Sequence, residues 1–308
     1  MSAEEIGLWG VPLAILGGAI RVSTPFIFVS LGECLTERSG RINLGLEGTL
    51  VFGAMAGYGV AFETGSPWIG VAAAALAGSG FGLAHGWMCK LPKVNDIAIG
   101  IALMLLGIGL AFLFGKPYIQ PVAPDLPAIP LGWWSDVPQI QAALKINVLF
   151  LIGIALALAM AWMFRATRLG LTIRVVGDST DATRAMGLRT DRVRLLSTAA
   201  GGAFAGIGGA YLSLYYPGSW NEGISSGQGL MAVALVIFAR WNPLACFWAS
   251  LLFGGAGALG PALQSVGVTQ GYYLFYAAPY VLTLGLLIAT SSPTRALTGA
   301  PGELSITK

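Results

Sequence analysis

An all-α bundle of membrane-spanning helices is predicted by three features of the sequence. Of 308 residues, 56% are hydrophobic and only 10% are charged. A soluble domain carries about 25% charged residues, so a surface this poor in charge is solvated by lipid. The apolar runs are close to 20 residues long and rich in Gly, Ala and Leu. That is the length of a helical crossing, whereas barrel strands alternate over about ten residues. Finally, the 44 glycines suit helices that approach backbone to backbone.

In chain order the apolar runs are Trp9–Leu35, Ile42–Phe62, Trp68–Met88, Ile97–Phe114, Val148–Phe164, Leu195–Tyr216, Leu230–Ala239, Leu244–Leu263 and Tyr272–Thr290. A crossing needs about 17–25 residues. Leu230–Ala239 alone is too short and spans only if the preceding GISSGQG segment joins its helix. The expectation is about nine spans, with eight or ten also compatible, in one transmembrane domain over residues 1–308. The opening MSAEEIG lacks the basic region of a signal peptide, so the first span is expected to be retained.

Basic residues orient the bundle, because Lys and Arg collect in cytoplasmic loops. If the 165–194 loop is cytoplasmic, alternation places fourteen of the 17 Lys and Arg residues on that side. Lys116 and Lys145 fall outside and Arg21 lies within a span. The acidic N-terminus then lies outside; a ten-span chain with a broken first helix would put it inside. The 115–147 segment is the longest extracytoplasmic loop. Its five prolines from Pro117 to Pro130 favour extended backbone, and Trp133 and Trp134 suit the membrane interface.

Several motifs are excluded. GAGALG (255–260) has the glycine spacing of a dinucleotide fingerprint, but it lies in an apolar run with no strand before it. FGKP (114–117) has Pro where a phosphate loop needs Ser or Thr. No cofactor site is visible in the chain, so ATP and its Mg, if used, belong to another subunit. Cys34, Cys89 and Cys246 lie far apart and, with the lone His85, give neither a disulfide framework nor a metal spacing.

Three polar stretches remain. In ERSGRINLGLEG (37–48), Glu47, like Glu33 just upstream, is an ionisable group in or beside a span, where charge is costly unless paired. Arg38 and Arg41 are near enough in sequence to neutralise these two carboxylates. Gly40, Gly45 and Gly48 loosen the backbone near Asn43, so a gating or coupling role and a plain ion-paired loop are both open. In KVNDI (93–97), Asn95 or Asp96 is placed to cap the next helix, and a gating or coupling role is also open. The third stretch is the basic island Thr180–Leu195. Asp178 is placed as an N-cap with Asp181 in an imperfect capping box, and Gly187 is placed as a left-handed C-terminal residue. Between them lies a helix of about eight residues, roughly 12 Å long. Ala182, Ala185 and Met186 share one face. Beyond the island, Gly202, Gly206 and Ala210, and Gly201, Ala205 and Gly209, form two small-residue rows expected on one side of the following helix, against one neighbour.

On ERSGRINLGLEG (37–48), VNDI (94–97) and the block RLGLTIRVVGDSTDATRAMGLRTDRVRLLSTAAGGAFAGIGGAYL (168–212), the chain resembles the permease subunit of ABC importers of the branched-chain amino acid, ribose and nucleoside group. It is most similar to nucleoside or simple-sugar permeases, from about Arg21 to Thr290. The resemblance implies a multi-pass protein of the bacterial inner membrane. It also implies a second permease, identical or different, a cytoplasmic ABC ATPase that binds the ATP, and an extracytoplasmic substrate-binding protein. A coupling helix docking on the ATPase maps to Asp178–Leu188. The family more often has a double Ala where this chain reads Asp181-Ala182-Thr183. A path for an uncharged nucleoside would be polar in spots, with Asn43, Ser225, Gln228, Gln264 and Tyr272 as candidates. A secondary transporter would need deep carboxylates, of which Glu33 and Glu47 are the only hints. No side-chain arrangement supports an intramembrane enzyme.

Overall fold

A computed structural model describes residues 10–136, 138–265, 267–268, 270–271, 274–275, 277–290 and 299–305. The helices are α1 (Gly10–Arg38), α2 (Leu46–Thr64), α3 (Pro67–Met88), α4 (Asp96–Gly115), α5 (Pro138–Ala143), α6 (Val148–Ala166), α7 (Arg168–Asp178), α8 (Thr180–Ala185), α9 (Thr190–Leu214), α10 (Gln228–Phe238), α11 (Pro243–Ser265), α12 (Ala278–Thr290) and α13 (Gly302–Ser305). Two three-residue strands, β1 (Ala128–Pro130) and β2 (Lys145–Asn147), pair antiparallel, with Ala128 opposite Asn147. They add a short ribbon to the all-α expectation.

Six helices among the described residues are long and apolar enough to cross a membrane: α1, α3, α4, α6, α9 and α11. Two expected crossings differ for separate physical reasons, and part of a third, Tyr272–Thr290, lies outside the described residues. α2 has 19 residues but carries Glu47 near its start and is buried along most of its length, so protein rather than lipid solvates it. α10 has only 11 residues, about 16 Å at 1.5 Å per residue. That is roughly half of a hydrocarbon core of about 30 Å. Of GISSGQG, only Gln228 and Gly229 join α10; residues 223–227 form turns. α12 is described over 13 residues. The first helix is continuous through Pro25.

The bundle is built around α9. The two small-residue rows meet three neighbours rather than one. A side chain on Gly202 or Gly206 would overlap the carbonyl oxygens of Gly78 and Ala74 on α3. Gly209 meets Leu50 and Ala54 on α2, and Gly201 meets Gly32 and Thr36 on α1. Lipid tails are as apolar as the helices, so close van der Waals contact rather than hydrophobic expulsion holds such an interface. A helix small on several sides therefore sits in the centre: 67% of the most apolar stretch of α9 is buried, against 22% for α4. The outer helices turn large residues outward, among them Leu76, Leu105, Leu158 and Trp162.

The two ends differ in charge. One end carries the 39–45 and 89–95 turns, α7, α8, the start of α9, the 239–242 turn and α13. Every described Lys and Arg except Arg21, Lys116 and Lys145 lies there. The opposite end is covered by the 115–147 segment. Tyr58 donates to the Pro121 carbonyl at 2.8 Å, Leu126 N–H to the Leu214 carbonyl at 2.9 Å, and Asn147 caps α6 by accepting from Leu149 N–H at 2.8 Å. Trp133 and Trp134 stand exposed on it.

Candidate functional site

The three polar stretches, far apart in sequence, converge at the basic end. Arg41 Nη1 pairs with Asp96 Oδ1 at 2.7 Å, and Arg41 Nη2 donates to the Cys89 carbonyl at 2.7 Å. This ties the 37–48 stretch to the start of α4, which Asn95 caps by accepting from Ile97 and Ala98 N–H. Arg194, at the start of α9, donates to the Ser39 carbonyl at 3.1 Å and the Val176 carbonyl at 3.3 Å. Arg38 lies over the Phe164 ring and donates through Nε to the Trp241 carbonyl at 2.9 Å. The expectation that Arg38 and Arg41 neutralise Glu33 and Glu47 is therefore corrected. The arginines point to Asp96 and to backbone carbonyls, and the two glutamates take other partners.

Those partners are backbone N–H groups and one serine hydroxyl. Glu33 Oε1 accepts from Asn43 N–H at 2.8 Å, and Asn43 Oδ1 accepts from Gly45 N–H at 2.9 Å, so Asn43 is held in a tight local turn and is buried. The chain reverses between α1 and α2, where Gly40 takes φ +84°. Gly45 and Gly48 instead mark close approach to α4: Gly45 abuts the Gly100 carbonyl, and a side chain on Gly48 would overlap Met104. Glu47 reaches across to the start of α10. Its carboxylate accepts from Ser225 Oγ at 2.5 Å, Gly227 N–H at 2.9 Å and Gly229 N–H at 2.6 Å. A carboxylate at a helix N-terminus satisfies free donors and complements the dipole. Glu47 thus caps a helix from another part of the chain, and the half-length α10 starts inside the bundle. Non-helical backbone is tolerated at such depth where protein buries it or it lines a cavity.

The basic island is two helices with a joint. Ser179, not Asp178, is the N-cap of α8: its Oγ accepts from Ala182 N–H at 3.2 Å. Asp178 ends α7, because the chain turns extended at Ser179, and Asp181 falls one place short of the capping-box position. Gly187 takes φ +71°. Gly187 N–H donates to the Arg184 carbonyl at 2.9 Å and Leu188 N–H to the Thr183 carbonyl at 3.1 Å, a helix end that favours glycine. Thr183 is buried against α7, whereas Asp181, Ala182, Ala185 and Met186 are exposed. α8 therefore presents a small apolar face outward on a basic surface.

Of the pathway candidates, Ser225 is bound to Glu47. Gln228 lines a cavity of about 170 Å³ between α1, α10, α11 and α12, walled by Phe26, Tyr216, Phe253 and Tyr280. Gln228 Oε1 is buried there and has no hydrogen-bond partner among the described residues. Gln264 is exposed on α11, and Tyr272 lies outside the described residues. Sequence reasoning missed four residues. Glu37 accepts from Trp241 Nε1, Arg194 was counted only as loop charge, and Glu303 Oε2 pairs with Arg194 at 3.2 Å. Gly229 is the fourth; its approach to Glu47 leaves no room for a side chain. Only Glu37, within the 37–48 stretch, and Arg194, within the basic island, carried a local signal.

Comparison with known proteins places this geometry. The family described as "Branched-chain amino acid transport system / permease component" matches residues 15–291. The chain belongs to this permease family. A putative glucose ABC transporter permease protein, TsgC13 of Haloferax volcanii, is 32% identical over 259 residues, covering 82% of this chain and 79% of the relative. The guanosine ABC transporter permease protein NupQ of Bacillus subtilis is 27% identical, covering 88% and 89%. The nucleoside ABC transporter permease protein NupC of Lactococcus lactis is 27% identical, covering 89% and 90%. A second permease from each of these organisms also matches, at 25%, 24% and 21% identity. No solved structure gives a significant match. The permease family's match spans both the Glu47-capped α10 and the exposed α8.

Proposed function

We propose that this permease is the membrane subunit of an ATP-binding cassette importer for nucleosides in the bacterial inner membrane. Its basic end faces the cytoplasm, where the outward face of α8 docks on a separate ATPase that binds ATP and Mg. The observation that carries this reading is the family match over residues 15–291, together with the exposure of Ala182, Ala185 and Met186 on α8. The six long helices, the protein-buried α2, the interrupted passage of residues 215–238 and α12 make up about nine crossings, with the N-terminus outside. A substrate-binding protein delivers cargo to the end covered by the 115–147 segment. A second, different permease completes the membrane unit, a reading supported by the pair of relatives in each of three organisms.

Nucleosides are favoured over monosaccharides by the Gln228 cavity. Phe26, Tyr216, Phe253 and Tyr280 are among its lining residues, and aromatic faces stack well on planar rings. A sugar, with hydroxyls all round, would need more polar partners than this lining offers. At about 170 Å³ it falls below the roughly 300–1,000 Å³ of drug-sized sites, so it would seat a nucleobase and leave the attached ribose outside. Glucose import is the second reading, favoured by the Haloferax relative. Transport proceeds by alternating access, and ATP shifts the equilibrium only through its differential affinity for the two states.

The test is uptake into proteoliposomes holding both permeases, the ATPase and the binding protein. Nucleoside uptake is expected to require ATP and to be absent when only an ion gradient is supplied. Met186→Asp, which puts a charge on the docking face, and Gly187→Pro, which cannot take a positive φ, are expected to lower uptake at least about tenfold with normal insertion. Full uptake in both variants contradicts docking through α8. Glucose uptake without nucleoside uptake replaces the substrate.

A further inference from the structure

The basic end contains a contact that family membership and the three resemblance stretches leave without a role. Residues 299–305 return to the bundle and end in α13 beside α7 and α8. Glu303 Oε1 accepts from Thr180 N–H, the first residue of α8, at 2.7 Å. Its other oxygen, Oε2, pairs with Arg194 Nη2 on α9 at 3.2 Å. The same Arg194 nitrogen donates to Thr180 Oγ1 at 3.1 Å. Next to it, Gly302 lies so close to Asp178 that a side chain there would overlap the Asp178 carbonyl oxygen. One carboxylate thus joins the joint between α7 and α8 to the central helix of the bundle.

The charges are fit for that task. Burial acts to raise the Glu303 carboxyl, but the Thr180 N–H and the Arg194 guanidinium outweigh it and hold the group below the usual carboxylate value. It stays ionised at neutral pH and keeps its pair. Arg194 is itself fixed, since its Nε is spent on the Ser39 carbonyl. A cleft of about 440 Å³ lies alongside, bordered by Arg194, Glu303, Arg41 and Asp96. α8 has only six residues and few contacts of its own with the bundle. Thr183 Oγ1 donates back across the Ser179 joint to the Val175 carbonyl at 3.2 Å. The Glu303 bridge adds to the Arg194–Thr180 bond a second link by which a push on the exposed face moves α9.

We propose that residues 301–303 are a strap that makes α8 and the start of α9 move as one body, with Glu303 and Arg194 as positioning residues for coupling. The proposal rests on the reading of α8 as the ATPase-docking helix. It assigns the strap no contact with substrate or nucleotide.

The experiment measures ATP hydrolysed and substrate imported in the same proteoliposomes, with all subunits present. Glu303→Ala is expected to leave ATP hydrolysis within about twofold of the wild type while import per ATP falls about five- to tenfold. Glu303→Gln keeps an acceptor for Thr180 N–H and loses the ion pair, so it should fall between. Inserted protein is quantified for each variant. An unchanged import-to-hydrolysis ratio in Glu303→Ala, whether or not less protein inserts, overturns the strap. Met186→Asp serves as the reference: if it uncouples and Glu303→Ala does not, only the strap fails. If Met186→Asp transports normally, the docking reading beneath it fails.

Discussion

Gly206→Leu is expected to leave almost no folded permease. The Gly206 position has no room for even a methyl group, because a Cβ there would overlap the Ala74 carbonyl oxygen on α3. The obstacle is backbone, which cannot swing aside as a side-chain tip can. Gly53 on α2 also packs here, its would-be Cβ 2.6 Å from Gly206 Cα. Overpacking in an ordinary core costs about 1–3 kcal/mol. Separating α9 from α3 and α2 together should exceed that and consume much of a total stability of about 5–15 kcal/mol. Size-exclusion chromatography of detergent extracts reads the outcome as loss of the monodisperse peak. Gly80→Ala is the contrasting case. Nothing lies within 4 Å of a Cβ at Gly80, and Ala is favoured over Gly in a helix by about 0.5–1 kcal/mol. That variant should match or exceed the wild-type melting temperature.

Glu47→Ala is expected to produce the second large effect, on transport more than on insertion. The substitution strips Ser225 Oγ, Gly227 N–H and Gly229 N–H of their common acceptor. Each buried donor left unmade costs about 1–3 kcal/mol, and together they fix where α10 begins. Release of that end frees the turns that precede it, next to the Gln228 cavity. Uptake in proteoliposomes should drop more than about tenfold while the other long helices still insert. Glu47→Gln keeps one acceptor oxygen and should retain part of the activity. Gly229→Ala should mimic the loss from the other side, since its Cβ would lie 2.6 Å from Glu47 N and Cα. Wild-type uptake in Glu47→Ala would refute the role given to this cap.

The parts of this molecule that sequence foretold are those governed by local rules. Lipid solvation demands long apolar runs, so α1, α3, α4, α6, α9 and α11 stand out by length alone. The Asn95 cap and the left-handed Gly187 are set by neighbours two to five residues away. What stayed hidden depends on contacts across the fold. Arg41 is four residues from Glu37 and six from Glu47, yet it pairs with Asp96, 55 positions on. Glu47 looked like a charge in need of an arginine because only its sequence neighbours were visible. Its partners are a serine hydroxyl and two backbone amides 178 to 182 positions away. α2 was legible as an apolar run, but not as a helix sheltered from lipid, because burial by protein leaves no mark on hydropathy. Glu303 lies in a polar tail that carries no apolar period, so nothing local pointed to Thr180 or Arg194.

Orientation of the basic end underlies docking, coupling and the direction of import alike, and a single labelling measurement reaches it. The three native cysteines, Cys34, Cys89 and Cys246, are buried, so a Met186→Cys variant offers one exposed thiol on α8. A membrane-impermeant maleimide is expected to label it in inside-out vesicles and to leave it unlabelled in intact cells, with Trp133→Cys showing the opposite pattern. Labelling of Met186→Cys from outside intact cells would contradict the account.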